Sequence, residues 1–255
     1  MREFSTFFKK ELTESARTQK LLIMTGSFAL LGVLNIISVE IMPKLMEMLA
    51  AEGINFPAAG TGALDAWVQF FKNVPQLGYI LMTILFSGML SREISRGTLI
   101  NMLTKGLPRN VVIISKFTAA TLIFTLSYWL CFAITYIYAL VGLSQSGLSN
   151  IFLAAMCSYI FGIMLLSSLI LGGALTKSFG GTLITAASLT GLLFFFNIFP
   201  AFAPFNPAWL ISANIGIITG ELPAADCLPP ILTCLLITAA LIISSLLIFK
   251  KRQLV

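Results

Sequence analysis

The chain holds 255 residues, 58% of them hydrophobic and only 10% charged, with a net charge of +6 and no histidine. Soluble domains carry about 25% charged residues, so an ordinary water-soluble domain is excluded, and the length leaves little beyond one membrane domain over residues 1–255. The cations flank apolar runs, where they anchor spans to anionic headgroups rather than bind nucleic acid.

Residues 3–17 place Phe4, Phe7, Phe8 and Leu12 at i, i+3, i+4 and i+8, with Lys9, Lys10, Glu14 and Arg17 mostly on the remaining surface. This spacing predicts an amphipathic helix within residues 1–20, lying in the membrane interface ahead of the first span. Apolar runs follow at 21–42, 74–91, 117–142, 151–175, 180–199 and 229–249. Each is close to the ~20 residues a helix needs to cross about 30 Å of hydrocarbon. The first run begins after a largely polar stretch of 20 residues, is 22 long and lacks a small-residue cleavage site. It is expected to persist as a transmembrane helix rather than be removed as a signal peptide. The expected fold is an all-α integral membrane protein with six transmembrane helices.

Between spans one and two, Leu64, Trp67, Val68 and Phe71 repeat at helical spacing, which predicts a second interfacial helix anchored by Trp67. Glu40 and Lys44, four apart at the outer end of span one, are expected to pair at headgroup level. After span two, Ile94, Thr98, Leu99, Met102 and Leu103 share one side of a short helix, which Pro108 closes. That loop is structured and amphipathic, with charges at both ends, and such an element can receive another protein. After span five, Pro200, Pro204 and Pro207 interrupt the chain, and the apolar stretch 209–218 is too short to cross. A helix that breaks at the prolines and returns as a re-entrant hairpin is expected, covered by protein or lining a cavity.

With both termini cytoplasmic, the inner segments hold Arg2, Lys9, Lys10, Arg17, Lys20, Arg92, Arg96, Lys105, Arg109, Lys116, Lys177, Lys250, Lys251 and Arg252. Only Lys44 and Lys72 fall outside, beside Glu40, Glu47, Glu52, Asp65, Glu221 and Asp226. The positive-inside rule selects this orientation. Small residues recur every four positions in span four (Ala154, Ser158, Gly162) and span five (Thr182, Ala186, Thr190). Both intrachain packing and a homodimer seam fit that pattern. Trp129, near the middle of span three, fits core packing or a cavity wall. Cys131, Cys157 and Cys234 lie within spans and Cys227 outside, so no disulfide framework is expected and the thiols act as small core residues.

The absence of histidine excludes a serine–histidine hydrolase, a zincin and any histidine metal site. The cores of spans two to six hold no ionisable side chain, which argues against a proton-driven transporter; a sodium site of carbonyl and hydroxyl oxygens stays open. The nearest approach to a phosphate loop, Gly173-Ala174-Leu175-Thr176-Lys177-Ser178, lacks the glycine before the lysine. Lys177 is an inner-face anchor. No enzyme activity, metal or cofactor is expected of the chain itself, and uphill transport would need energy from a partner.

The segment Glu93-Ile94-Ser95-Arg96-Gly97-Thr98-Leu99, followed by Leu107-Pro108-Arg109 and Lys116, resembles the glutamate, glycine-threonine, then proline-and-basic pattern of the permease subunit of type-2 ABC exporters. The likeness extends to the whole chain: the inner-face helix ending in Arg17-Thr18-Gln19-Lys20, six spans and a broken hairpin before the last. Arg109 departs from it, since relatives carry a small uncharged residue there. The resemblance implies that the loop is a coupling helix docking into a separate nucleotide-binding subunit, which would hold ATP and Mg2+. Arg92, Glu93, Arg96, Gly97, Thr98, Leu99, Met102, Pro108 and Arg109 would make that contact. Glu93 is expected to be its docking charge, or else a plain anchor tied to Arg92 or Arg96.

It further implies two permease copies, identical or similar, pairing through the first and fifth spans with Thr182, Ala186 and Thr190 at the seam, in a bacterial cell membrane. The expected cargo pathway joins Ser127, Trp129, Thr135, Ser188, Phe195 and Phe199, a lining suited to hydrophobic or amphipathic cargo such as membrane-active peptides, antibiotics or lipid-like molecules. The competing expectations are a secondary transporter or channel without an ATPase, and a membrane-bound immunity or scaffold protein.

Overall fold

The structure, a computed structural model, describes residues 2–51, 62–104, 106–143 and 147–251; Glu52, Lys105 and Arg252 lie outside them. Helix α1 (Arg2–Arg17) precedes α2 (Lys20–Ala51); α3 (Ala63–Asn73) runs through a π turn at Val74–Gly78 into α4 (Tyr79–Ser95). Next come α5 (Thr98–Thr104), α6 (Arg109–Gly142), α7 (Ile151–Thr176), α8 (Phe179–Asn197), the short α9 (Trp209–Ser212) and α10 (Asn214–Thr219), and α11 (Leu228–Lys251). Among the described residues there is no strand. Six helices are long and apolar enough to cross a membrane: α2, the joined α3–α4, α6, α7, α8 and α11. The chain is a multi-pass α-helical membrane protein.

Span four (α7) is the hub. In its most apolar window 72% of residues are buried inside the chain, against 11% for span five and 22% for span six. Its small-residue stripe explains this. Gly162 admits the Phe124 ring of span three so closely that a Cβ would stand 2.4 Å from it. Ser158 offers its hydroxyl to the Tyr79 hydroxyl of span two at 2.8 Å, and the Ala155 carbonyl accepts from Tyr128 at 2.7 Å. In a membrane the hydrophobic effect does not press helices together, so such close contact and interhelical hydrogen bonds carry the packing.

The structure corrects two expectations, for Trp67 and for Glu40. Trp67 does not anchor an interfacial helix: it is 0% exposed, and its ring centroid lies 5.3 Å from that of Phe132 and 5.7 Å from that of Phe70. Its helix is the first third of a continuous 33-residue element. Pro75 lacks an N–H and crowds the preceding turn; the widened turn around it lets the helix continue instead of ending. Nor does Glu40 pair with Lys44. Its Oε1 accepts from the Tyr138 hydroxyl at 2.7 Å, which ties span one to span three.

After span five the chain breaks where the prolines fall. A 3-10 turn (Ala203–Phe205) leads into α9 and α10. The Asn206 side-chain amide donates to the Leu193 carbonyl at 2.6 Å, so the chain turns back at the end of span five, and α9 and α10 pack against span four. Leu210, Ile217 and Ile218 are fully buried, and Ser149 N–H donates to Ile218 O at 2.9 Å, joining α10 to the start of span four.

The Gly162–Phe124 approach generates a test. Gly162→Val should destabilise the purified protein by about 1–3 kcal/mol through overpacking, seen as a lower denaturation midpoint in detergent. Gly26→Ala, where an added Cβ meets nothing within 4 Å, should leave the midpoint unchanged or raise it.

Candidate functional site

The ends of all the spans that meet α1 share one face of the bundle, and the loop 92–109 is built there from the backbone upward. Span two stops because Gly97 adopts φ +70, a left-handed conformation that suits glycine and closes a helix; its N–H donates to Ile94 O at 3.2 Å. Helix α5 then turns Leu99, 1% exposed, into a small core with Phe7, Leu90, Ile94, Val112, Ile113 and Phe249. Met102 and Leu103 pack at its edge. Pro108 caps α6 in extended conformation. The Arg109 guanidinium donates to the Phe249 and Lys250 carbonyls, both at 3.0 Å. That satisfies acceptors at the C-terminal end of span six and opposes its helix dipole. The loop is thereby fastened to α1, span three and span six.

Beneath it lies an ionic cluster. The Lys116 ammonium, 1% exposed, reaches Glu11 Oε1 and Oε2 at 3.0 Å each and Glu93 Oε2 at 2.8 Å. Lys10 reaches Glu93 at 2.8 Å, Glu11 at 3.0 Å and Glu14 at 2.7 Å. Burial disfavours the Lys10 ammonium, but Glu14, Glu93 and Glu11 outweigh it and hold its pKa above the ordinary lysine value. The three carboxylates lie close enough together to ligate one cation, but the two ammoniums already sit among them.

Helix α1 is thus docked through one stripe, Phe7, Glu11 and Ser15, each under 7% exposed. The sequence reading placed α1 correctly as amphipathic yet passed over Glu11. Its signal was there: a carboxylate four residues after Phe7, on the apolar face, where an unpaired charge would be too costly to bury.

The expected coupling residues fall in one place. Arg92, Arg96, Thr98 and Pro108 are exposed, Met102 and Arg109 half-buried, and Leu99 buried. Glu93 is tied to neither Arg92 nor Arg96; its partners are Lys10 and Lys116. Arg92 instead lies over the Phe179 ring at 5.2 Å, a cation–π contact.

The span-five residues Thr182 and Ala186 are 0% exposed and Thr190 is half-buried. Thr182 packs against Gly172 of span four, where a Cβ would meet the Thr182 carbonyl at 3.0 Å. The stripe therefore serves intrachain packing, and the outward strip of span five is Ile184, Leu192, Phe195 and Phe199.

The six pathway residues do not share a lining. Ser127 and Thr135 are buried, donating to the Ile123 and Cys131 carbonyls within their own helix. Trp129 is half-buried among Tyr128, Phe132, Phe152 and Tyr159. Ser188, Phe195 and Phe199 lie on the exposed side of span five. An apolar cavity of about 320 Å3, marked by no local residue pattern, lies between spans two, four and five, lined by Tyr79, Thr83, Phe161, Leu183, Ala186 and Thr190. Compared with known families and curated proteins, the chain matches no family model and no curated sequence.

Lys116→Met would leave Glu11 and Glu93 buried with one ammonium fewer. Breaking a buried pair costs about 3–5 kcal/mol. The expected outcome is a matching drop in denaturation free energy, with earlier tryptic cleavage at Lys9 and Arg17 as α1 lifts away.

Proposed function

We propose that the chain is the permease subunit of an ATP-driven exporter of the type-2 ABC class. It carries hydrophobic or amphipathic cargo outward with a separate nucleotide-binding subunit that holds ATP and Mg2+. A second permease copy completes the unit. The membrane is a bacterial cell membrane, with both termini in the cytoplasm.

The observation that carries this reading is the mounting of α5. The end of α4 and the short α5 together present Arg92, Arg96 and Thr98 to solvent, while Leu99 of α5 is buried and Glu93 of α4 is clamped by two lysines from α1 and span three. A push on such a helix reaches the spans directly, which is what a coupling element requires. In this reading Glu93 anchors the element and the exposed Arg92 and Arg96 meet the partner. The distribution of cations supports the orientation. The folded-back segment between spans five and six is the re-entrant hairpin, packed against span four. The second copy pairs along the outward strip of span five, since the buried stripe faces span four. The apolar cavity beside Tyr79 and Thr190 is the cargo surface, consistent with hydrophobic cargo.

Co-purification with an ATPase encoded beside this chain tests the reading. Arg96→Glu should weaken that association by about tenfold or more, near 1.4 kcal/mol, while membrane insertion is retained. Transport in vesicles driven by an ion gradient without nucleotide would overturn the proposal. The orientation is checked by Ser95→Cys, expected to react with an impermeant thiol reagent in inverted vesicles and not in intact cells.

A further inference from the structure

A second cavity, of about 490 Å3, opens beside the ionic cluster between α1, the near ends of spans one and two, α5 and the first residue of span five. Its rim carries Lys20, Arg92 and Arg96. Among the described residues none of these three has a carboxylate partner, because Glu14 and Glu93, the acids lining the same cavity, are engaged by Lys10 and Lys116. Positive charge is therefore left over at one mouth. The lining also has an apolar part, Ile23, Ile84, Met89 and Phe179, and Ile23 and Ile84 are 38% and 50% exposed. Gly88 helps shape the pocket: an added Cβ would stand 2.4 Å from Arg92 Nε, so its absence lets the arginine lie along span two and over Phe179.

We propose that this cavity binds the phosphate headgroup of an anionic phospholipid, with the acyl chains running along Ile23 and Ile84 into the surrounding hydrocarbon. The ligand must be anionic because Lys20, Arg92 and Arg96 are offset only by the one carboxylate by which Glu11, Glu14 and Glu93 outnumber Lys10 and Lys116, and guanidinium groups suit phosphate oxygens. It must be amphiphilic because the apolar part of the lining includes exposed residues of two spans, Ile23 and Ile84. A wholly polar anion would leave that part wet, and a neutral lipid would leave the cations unpaired. The site meets the apolar cavity proposed for cargo at Ile84 and shares Arg92 and Arg96 with the face proposed for the ATPase; lipid binding itself requires no ATPase and is measured on the permease alone.

The test uses the purified full chain in detergent, titrated with short-chain phosphatidylglycerol and, separately, phosphatidylcholine. Phosphatidylglycerol should bind at least about tenfold more tightly, with the preference falling as salt rises. Each basic group near an anionic headgroup accounts for about fivefold. Lys20→Gln with Arg96→Gln should therefore weaken phosphatidylglycerol binding by about 25-fold and leave phosphatidylcholine unaffected. If that pair of changes impairs folding, Thr98→Asp serves instead. It adds a carboxylate at an exposed position of the rim and should weaken the same lipid several-fold. Equal affinity for the two lipids, or variants that keep the wild-type preference, would overturn the proposal. Inorganic phosphate separates the sources: full displacement of the lipid by millimolar phosphate would assign the cavity to a free anion and defeat the lipid assignment, whereas lipid binding that persists supports it.

Discussion

A single ammonium, that of Lys116, sits almost sealed from solvent between the carboxylates of Glu11 and Glu93, and the architecture of this end of the bundle depends on it. Desolvating three charged groups is unfavourable, and only close, multiply bonded geometry offsets it. Lys10 supplies the remaining counter-charge. The three groups come from α1, the end of span two and the start of span three, which lie far apart in sequence. Each partner is therefore needed to make the others tolerable. Hydrophobic contact alone would let α1 slide over the helices it packs on; the cluster fixes its place and register.

The same economy of polar contact appears through the membrane region. Span four is surrounded, and its glycines and serines convert close approach into hydrogen bonds from Tyr79 and Tyr128. Spans five and six, by contrast, expose most of their apolar surface. One chain thus has a well-packed side and an open side, and the small residues of span five belong to the former. The apolar strip facing outward is the part of that helix left for lipid or a second copy.

Much of the fold was legible in the sequence, because length, hydropathy and proline placement are local signals. The six spans, a short helix near 98–104 and the break after span five follow from residues close together in the chain, but that helix ends at Thr104 ahead of Gly106 at φ +93, and Pro108 caps α6 instead of closing it. Two failures have a common origin. Trp67 was assigned to the interface from its residue type, but its neighbours Phe132 and Tyr136 come from span three. Glu93 reads from the sequence as a docking charge, or else as an anchor tied to Arg92 or Arg96, whereas its partners lie 83 residues before it and in the following span. Helical periodicity says which face a side chain takes, not what stands opposite. For the same reason the pathway residues scattered: Ser127 and Thr135 find their own helix carbonyls, a choice invisible in a pattern of hydroxyls.

Arg109 makes the loop inseparable from its surroundings. Its guanidinium closes the backbone of a helix that begins more than 100 residues later, so residues 92–109 are not a portable cassette. Grafted onto another scaffold, they would arrive with a cation whose acceptors were left behind. A faithful transplant would have to carry the carboxyl end of the final helix too.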